Sequence, residues 1–466
     1  MKTVYVALSL LFFNPSFGQS VSERIGKAIG QLEKDSQFSH AIISICVADG
    51  KTGNTVFQKN AQSGLAPASC QKIITSAAAF ELLGKNYQYK TAIKVYPISD
   101  TFHLGIDASG DPTLGSWRWE TTKMEYIYKN ISLALKGKNI NYLPPDVTLI
   151  NNRFTFQPIP DGWVWQDIGN YYGAGVWGFN WHENQYDLFL SSGNIEGDPV
   201  EVKGLEPAPT SFGMYSLIKT GKKGSGDNAY IYSAPFNNNM FATGTIPPGQ
   251  KKFIISGSMP DPALFFISGL KRYSIMEFTG ITFEPRQDYM AFANYPGRDP
   301  ALYETILTIL SPTFDSINYW FLKKSVNLFG EAFVKTIAYE KTGTGSTDTG
   351  VAIIKNFWSR NGIDKAAINI IDGSGLSPAN RVTTNALVKI MQYAKARPWF
   401  SSFYNALPEM NGIKMKDGYI GGVRSYTGYI KNKNGTEYTF AFIVNNFDGD
   451  PGTVREKMWK ILELLK

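Results

Sequence analysis

The sequence predicts an α/β (α+β) domain, a sheet flanked by helices, cut in two by a long and mostly β insertion. Three observations predict it. Amphipathic helical patterns stand near both ends of the chain, an apolar strand pair closes on Asn434-Gly435, and between residues 87 and 298 the texture changes to short strands with Gly and Pro turns. No internal repeat or low-complexity tract interrupts this plan.

Taken in order, Val21, Ile25, Ala28, Ile29 and Leu32 share one stripe, which predicts a helix over 21–32. The apolar run 41–48 predicts a strand, and Asp49-Gly50 with Thr52-Gly53 turns it back into a second strand over 55–58. Ser69 then opens an apolar helical stretch over 73–83. Within the insertion, Gly110-Asp111-Pro112 and Pro247-Pro248 mark turns. Helices are expected again over 300–310, 316–339 and 384–394. Strands over 423–431 and 437–445, joined by the Asn-Gly hairpin signal, precede a final helix over 454–465.

Composition narrows the class. A chain of 466 residues, 43% hydrophobic and 14% aromatic, has core material for two or three units. Lys2, the apolar run 4–13 and Ser16-Phe17-Gly18 read as a secretory signal, residues 1–18, so the remainder is expected to be exported to the periplasm or exterior, either soluble or loosely wall- or membrane-associated. No later apolar run reaches the ~20 residues of a membrane span, so no transmembrane anchor is expected. Losing Lys2 lowers the formal charge of +7 to about +6. The lysines are scattered, which reads first as solvated surface and second as attraction to an anionic polymer, and no nucleic-acid motif is present. Cys46 and Cys70 read as buried thiols, with a bridge permitted by an oxidising compartment. His40, His103 and His182 lack ligand spacing, so no metal is expected.

The chemistry is placed at Pro67-Ala68-Ser69-Cys70-Gln71-Lys72. Residues three apart share a helical face, which brings the Ser69 hydroxyl to the Lys72 amine, and a helix start offers free N–H groups to an oxyanion. Such a pair alone is weak, since Ser216 and Lys219 repeat the spacing. Ser325-Val326-Asn327, on a predicted helix, and Lys416-Asp417-Gly418, just before the terminal hairpin, complete an ordered Ser-x-x-Lys, Ser-x-Asn, Lys-x-Gly series. Ser192-Gly193-Asn194, Ser316-Ile317-Asn318, Lys219-Thr220-Gly221 and Lys341-Thr342-Gly343 are competing matches. Only Lys416 leads into a strand able to line a cleft.

With these motifs, and with Gly110-Asp111-Pro112-Thr113, Trp165-Gln166-Asp167, Gly169-Asn170-Tyr171-Tyr172-Gly173 and Asp372-Gly373-Ser374-Gly375-Leu376-Ser377, the chain resembles the D-alanyl-D-alanine carboxypeptidase/endopeptidases, class C low-molecular-mass penicillin-binding proteins. The resemblance implies a penicillin-binding-protein/β-lactamase-like transpeptidase domain formed by residues 19–86 and 299–466, with residues 87–298 forming two inserted domains. It implies peptidoglycan stem peptides ending in D-Ala-D-Ala, or cross-linked through D-Ala, as substrates, and β-lactams as covalent inhibitors, with no cofactor.

In the roles so implied, Ser69 is the nucleophile, Lys72 its base, Ser325 a proton relay, Asn327 a clamp on substrate and on Lys72, and Lys416 a nearby cation. Gly418 and Tyr419 line the substrate strand, with N–H groups of Ser69 and Tyr419 receiving the oxyanion, while Asp167 and Tyr172 bind the amino end of diaminopimelate. Two positions depart from the family. Asp417 replaces the usual Thr or Ser, and Pro378 replaces an Arg that helps bind the diaminopimelate carboxylate, for which Arg381 is a candidate substitute. These departures leave two alternatives open: a weakly active or binding-only homologue, and a β-lactamase or esterase on the same Ser–Lys core.

Overall fold

The computed structural model describes residues 19–98, 101–140, 143, 147–150, 153–209, 213–237, 239–277 and 302–466. The secretory signal at 1–18, Pro300 and the expected domain boundary at 298/299 lie outside them.

The main sheet runs in the order Glu409–Met410, Ile413–Ile420, Val423–Lys431, Glu437–Asn445, Ile42–Asp49, Thr55–Lys59, with every neighbouring pair antiparallel. Successive side chains of a strand point to opposite faces. Ile43, Ile45, Val47, Phe440, Phe442 and Val444 therefore meet the terminal helices Val21–Leu32 and Pro451–Leu462 on one face. Cys46, Ala48, Ala441 and Ile443 face the other way, into a core with the helices Lys72–Leu82, Asn327–Thr342 and Thr384–Lys395. A central strand covered on both faces reads as a continuous apolar run, which is why 41–48 lacks alternation. The small Cys46 and Ala441 lie on this face, where the Thr384–Lys395 helix packs directly on the strands Ile42–Asp49 and Glu437–Asn445 and the Lys72–Leu82 helix packs against that helix in turn.

A second core is built by residues between Ile93 and Ile309. Three sheets enclose it: Glu304–Leu310, Lys90–Ile98, Thr101–Asp107, Val147–Ile150; then Phe253–Ser258, Gln185–Ser191, Glu201–Glu206; then Asn228–Tyr232, Asn239–Ile246, Gly213–Ser216 with Lys219–Thr220 beside. Two helices absent from the sequence reading, Met124–Gly137 and Pro262–Glu277, join them. The strand leaving the first segment, Lys90–Ile98, pairs antiparallel with the returning strand Glu304–Leu310, so the long excursion begins and ends at adjacent strands.

Three sequence expectations change. The expected helix over 300–310 is instead, where described, the strand Glu304–Leu310, because Thr305, Ile306, Thr308 and Ile309 favour a pleated partner and Lys90–Ile98 supplies one. The expected helix over 316–339 is two helices, Phe314–Lys323 and Asn327–Thr342, interrupted where Ser325 takes φ +57°. Lys416 lies in the middle of Ile413–Ile420, and the hairpin it enters turns at Gly421-Gly422, one strand earlier than expected. Cys46 and Cys70 are both free and buried, and burial pushes their thiols up to about 11 and about 12. Among the described residues no helix is long and apolar enough to cross a membrane.

Ile443 lies fully buried at the centre of this arrangement. Ile443→Ala should lower unfolding stability by about 2–5 kcal/mol, read as a lower urea midpoint at unchanged slope.

Candidate active site

Ser69 sits in a short 3-10 turn, Ala68–Gln71, that runs directly into the helix Lys72–Leu82. Ala68 before it adopts φ +46°, a left-handed conformation that L residues hold only under surrounding constraint. The expected juxtaposition is present: Lys72 Nζ stands 2.8 Å from Ser69 Oγ. The amine also donates to Asn327 Oδ1 at 2.6 Å and to the Ser374 carbonyl at 2.8 Å, with the lysine side chain wholly buried. Burial first, and then the positive charge of Lys416, pull the Lys72 amine down to about 7, against the opposing pull of Asp372, Glu331 and Asp417.

Asn327 begins the helix Asn327–Thr342, and its Nδ2 donates to the Tyr172 carbonyl at 2.7 Å. That bond turns Oδ1 toward Lys72 and ties the Tyr171–Gly173 turn to the helix pair that holds Lys72 and Asn327. Ser325, in the left-handed break before this helix, lines the same cleft as Ser69. The cleft has a volume of about 870 Å³ and takes in Asp167, Tyr172 and Tyr419 as well. Tyr172 hydrogen-bonds Asp167, whose carboxyl is nevertheless held above its ordinary value by burial.

The strand Ile413–Ile420 passes immediately beside Ser69. The Cys70 thiol donates to the Lys416 carbonyl at 3.2 Å, and a Cβ placed on Gly418 would lie 2.9 Å from the Ser69 nitrogen and 2.7 Å from the Pro67 carbonyl. Only glycine allows this approach. Lys416 is buried, and its Nζ donates to the Asp417 carbonyl at 2.7 Å and to Asp417 Oδ1 at 2.8 Å. Burial raises the Asp417 carboxyl, but the charge and hydrogen bond of Lys416, with Arg424, outweigh it and leave it lowered. Neither Lys416 nor Asp417 is among the residues that line the cleft, although Tyr419 is.

The competing motifs fall elsewhere. Asn318 accepts from Ser76 Oγ within the helical core, Gly343 caps the end of a helix at φ +81°, Ser192 follows the strand Gln185–Ser191, and Lys219 lies in the short strand Lys219–Thr220. Pro378 lines the cleft, but the guanidinium of Arg381 donates to the carbonyls of Pro378 and Asn380 at 2.6 and 2.7 Å, so it braces its own loop. Among the described residues no group of three or more His, Cys, Asp or Glu is gathered as a metal-binding set.

Sequence reasoning missed a buried ionisable layer behind Lys72. Glu331 accepts from the Gly373 nitrogen with both oxygens at 3.0 Å, and Lys335 donates to the carbonyls of Gln157 and Val176 at 2.6 and 3.1 Å. Burial pushes the Glu331 carboxyl well up, aided by Asp372, and pulls the Lys335 amine down to about 8. A signal was available: Asn327, Glu331 and Lys335 repeat every four residues along an otherwise apolar helix, a polar stripe on one face.

Gly418→Ala should leave the protein folded but push the strand from Ser69. A displacement of that order costs about 10²-fold in reactions that need near-attack geometry, read as slower labelling of the Ser69 hydroxyl by an acylating probe.

A sequence profile of the D-Ala-D-Ala carboxypeptidase 3 (S13) family matches residues 26–465. The chain is 24% identical over 478 residues to a D-alanyl-D-alanine carboxypeptidase of Actinomadura sp. (strain R39), covering 95% of this chain and 85% of that protein. It is 20% identical over 415 residues to the D-alanyl-D-alanine carboxypeptidase DacB of Haemophilus influenzae, covering 83% and 82%. The crystal structure of penicillin binding protein 4 (dacB) from Haemophilus influenzae shares the fold at a TM-score of 0.76 with 18% identity, over 94% of this chain and 99% of that one. With the family profile spanning nearly the whole sequence, the chain belongs to the D-Ala-D-Ala carboxypeptidase 3 (S13) family of serine-type peptidases.

Proposed function

We propose that this chain is a peptidoglycan DD-peptidase that removes the terminal D-Ala from stem peptides and cleaves D-Ala cross-links through an acyl-enzyme on Ser69. The observation that carries this reading is the Lys72 amine, wholly buried 2.8 Å from Ser69 Oγ. Two of its three neighbours, Asn327 Oδ1 and the Ser374 carbonyl, can only accept hydrogen bonds. A neutral amine spends its two N–H bonds on them and keeps its lone pair for the Ser69 proton.

In this reading Lys72 takes that proton as Ser69 Oγ attacks the penultimate D-Ala carbonyl, and the N–H groups of Ser69 and Tyr419 receive the developing oxyanion. The C–N bond then breaks, and the proton passes from Lys72 through Ser325 to the leaving amine. Water hydrolyses the ester and restores Ser69. Asp167 and Tyr172 hold the amino end of the diaminopimelate side chain. β-Lactams acylate the same oxygen. Residues 1–18 act as the export signal to the periplasm, and residues 19–86 with 299–466 form the domain that holds the catalytic motifs.

One observation favours a slower enzyme as the second reading. The Lys416 ammonium, set back from the cleft wall, is already engaged by Asp417, so a substrate carboxylate in the cleft feels a neutralised cation and a neighbouring negative charge through the strand.

Intact-mass measurement after exposure to penicillin should show one adduct, mapped to the peptide holding Ser69, and D-Ala should be released from a pentapeptide. Ser69→Ala should abolish both while leaving the melting curve unchanged; an adduct that survives this change contradicts the assignment. Because Lys72 must be neutral to accept a proton, acylation should fall as pH drops through about 7. Asp417→Thr should raise D-Ala release about tenfold, the effect of removing about 1.4 kcal/mol of repulsion; no gain would remove Asp417 as the brake.

A further inference from the structure

The carbonyl beside Lys72 belongs to the peptide unit joining Ser374 to Gly375, and the N–H of that same unit donates to Asp372 Oδ1 at 2.9 Å. A trans peptide is planar, with C=O and N–H on opposite sides. An anchor on the N–H therefore fixes the direction of the carbonyl. The Asp372 carboxylate, wholly buried, accepts four more hydrogen bonds: from Gln71 Nε2 at 2.8 Å and Asn380 Nδ2 at 2.9 Å on Oδ1, and from the Ser377 nitrogen at 2.7 Å and Trp163 Nε1 at 3.0 Å on Oδ2.

The neighbouring peptide units are held as well. The Asp372 carbonyl accepts from Gln71 Nε2 at 2.7 Å, the Gly373 nitrogen donates to Glu331, and the Gly373 carbonyl accepts from Thr75 Oγ1 at 2.7 Å. Gly375 takes φ +84°, and a Cβ there would lie 2.0 Å from the Ala68 carbonyl. The loop is thus pressed onto the residue that precedes the nucleophile.

We propose that Asp372 is a positioning residue, which aims the Ser374 carbonyl at Lys72 so that the lone pair of the neutral amine is left facing Ser69 Oγ. The proposal rests on Ser69 being the nucleophile. Asp372 touches no reacting atom. It acts through one rigid peptide unit, and its carboxylate has no spare acceptor that a carboxamide could imitate, since an NH₂ group on either side would face N–H donors. The titratable groups acting on Lys72 are Lys416, which disfavours its protonated form together with burial, and Asp372, Asp417 and, when ionised, Glu331, which favour it.

The test is the rate of acylation by a fluorescent penicillin between pH 5 and 9 for the unaltered enzyme, Asp372→Asn and Thr75→Val, each with a melting curve. Asp372→Asn should lower the plateau by about 10²-fold, the cost of a misplaced reacting group, and move the acid limb to lower pH, because a charge that favoured protonated Lys72 is gone. Thr75→Val loosens the same loop without altering charge, so its plateau should fall while its acid limb stays in place. A folded Asp372→Asn enzyme whose acid limb does not move, or whose rate stays within about twofold of the unaltered enzyme, overturns the proposal. If Asp372→Asn does not fold, Thr75→Val decides, and an unchanged plateau there overturns it. No adduct on the unaltered enzyme would instead overturn the nucleophile reading, and this proposal with it.

Discussion

An ammonium group buried without compensating charge is costly enough that proteins usually neutralise it instead. Lys72 is wholly buried, and its nearest neighbours are a hydroxyl and two carbonyl-type oxygens, none of which carries a formal charge. The site is organised around that constraint. In the proposed mechanism the neutral amine can serve as base because the fold also supplies acceptors in fixed directions. Asn327 is turned by Tyr172, and Ser374 by a loop held from the helices Lys72–Leu82 and Asn327–Thr342.

These groups come from four stretches of chain separated by up to hundreds of positions, and the architecture accounts for their meeting. The apolar faces of the main sheet draw the Ser69 helix and the Asn327 helix onto one side, while the strand that bears Gly418 runs past the helix start. The excursion between residues 98 and 304 leaves and returns through paired strands, so its ends are held together and its length adds little further closure entropy. It also gives the cleft part of its wall. Tyr172 touches Asn327 through its carbonyl, and Trp163 reaches Asp372, so this excursion takes part in placing the groups around the Lys72 amine.

Much of this was legible in the residues. The terminal helix 21–32 and the strands 423–431 and 437–445 were read with their observed bounds, since each carries clear periodicity or a hairpin signal. The Ser69 to Lys72 contact followed from helical spacing alone. The segment 304–310 misled because a short apolar run is ambiguous until its partner strand is known, and that partner lies over 200 residues away. The break at Ser325 left no Gly or Pro to announce it; a left-handed serine is held by tertiary contacts, which local propensity does not record. The buried Glu331, Lys335 and Asp372 were hidden for the opposite reason: a charged residue in a helix or a glycine-rich turn ordinarily reads as solvated surface.

The most direct measurement of the central claim is the protonation of Lys72 itself. With the lysine side chains ¹³C-labelled, the Cε resonance of Lys72, assigned by its loss in Lys72→Arg, can be followed by NMR against pH. The account predicts a midpoint near 7, far below an ordinary lysine at 10.5. A Lys72 signal that stays protonated to pH 10 would show that the amine beside Ser69 carries its charge at neutral pH, and the proposed base would be lost.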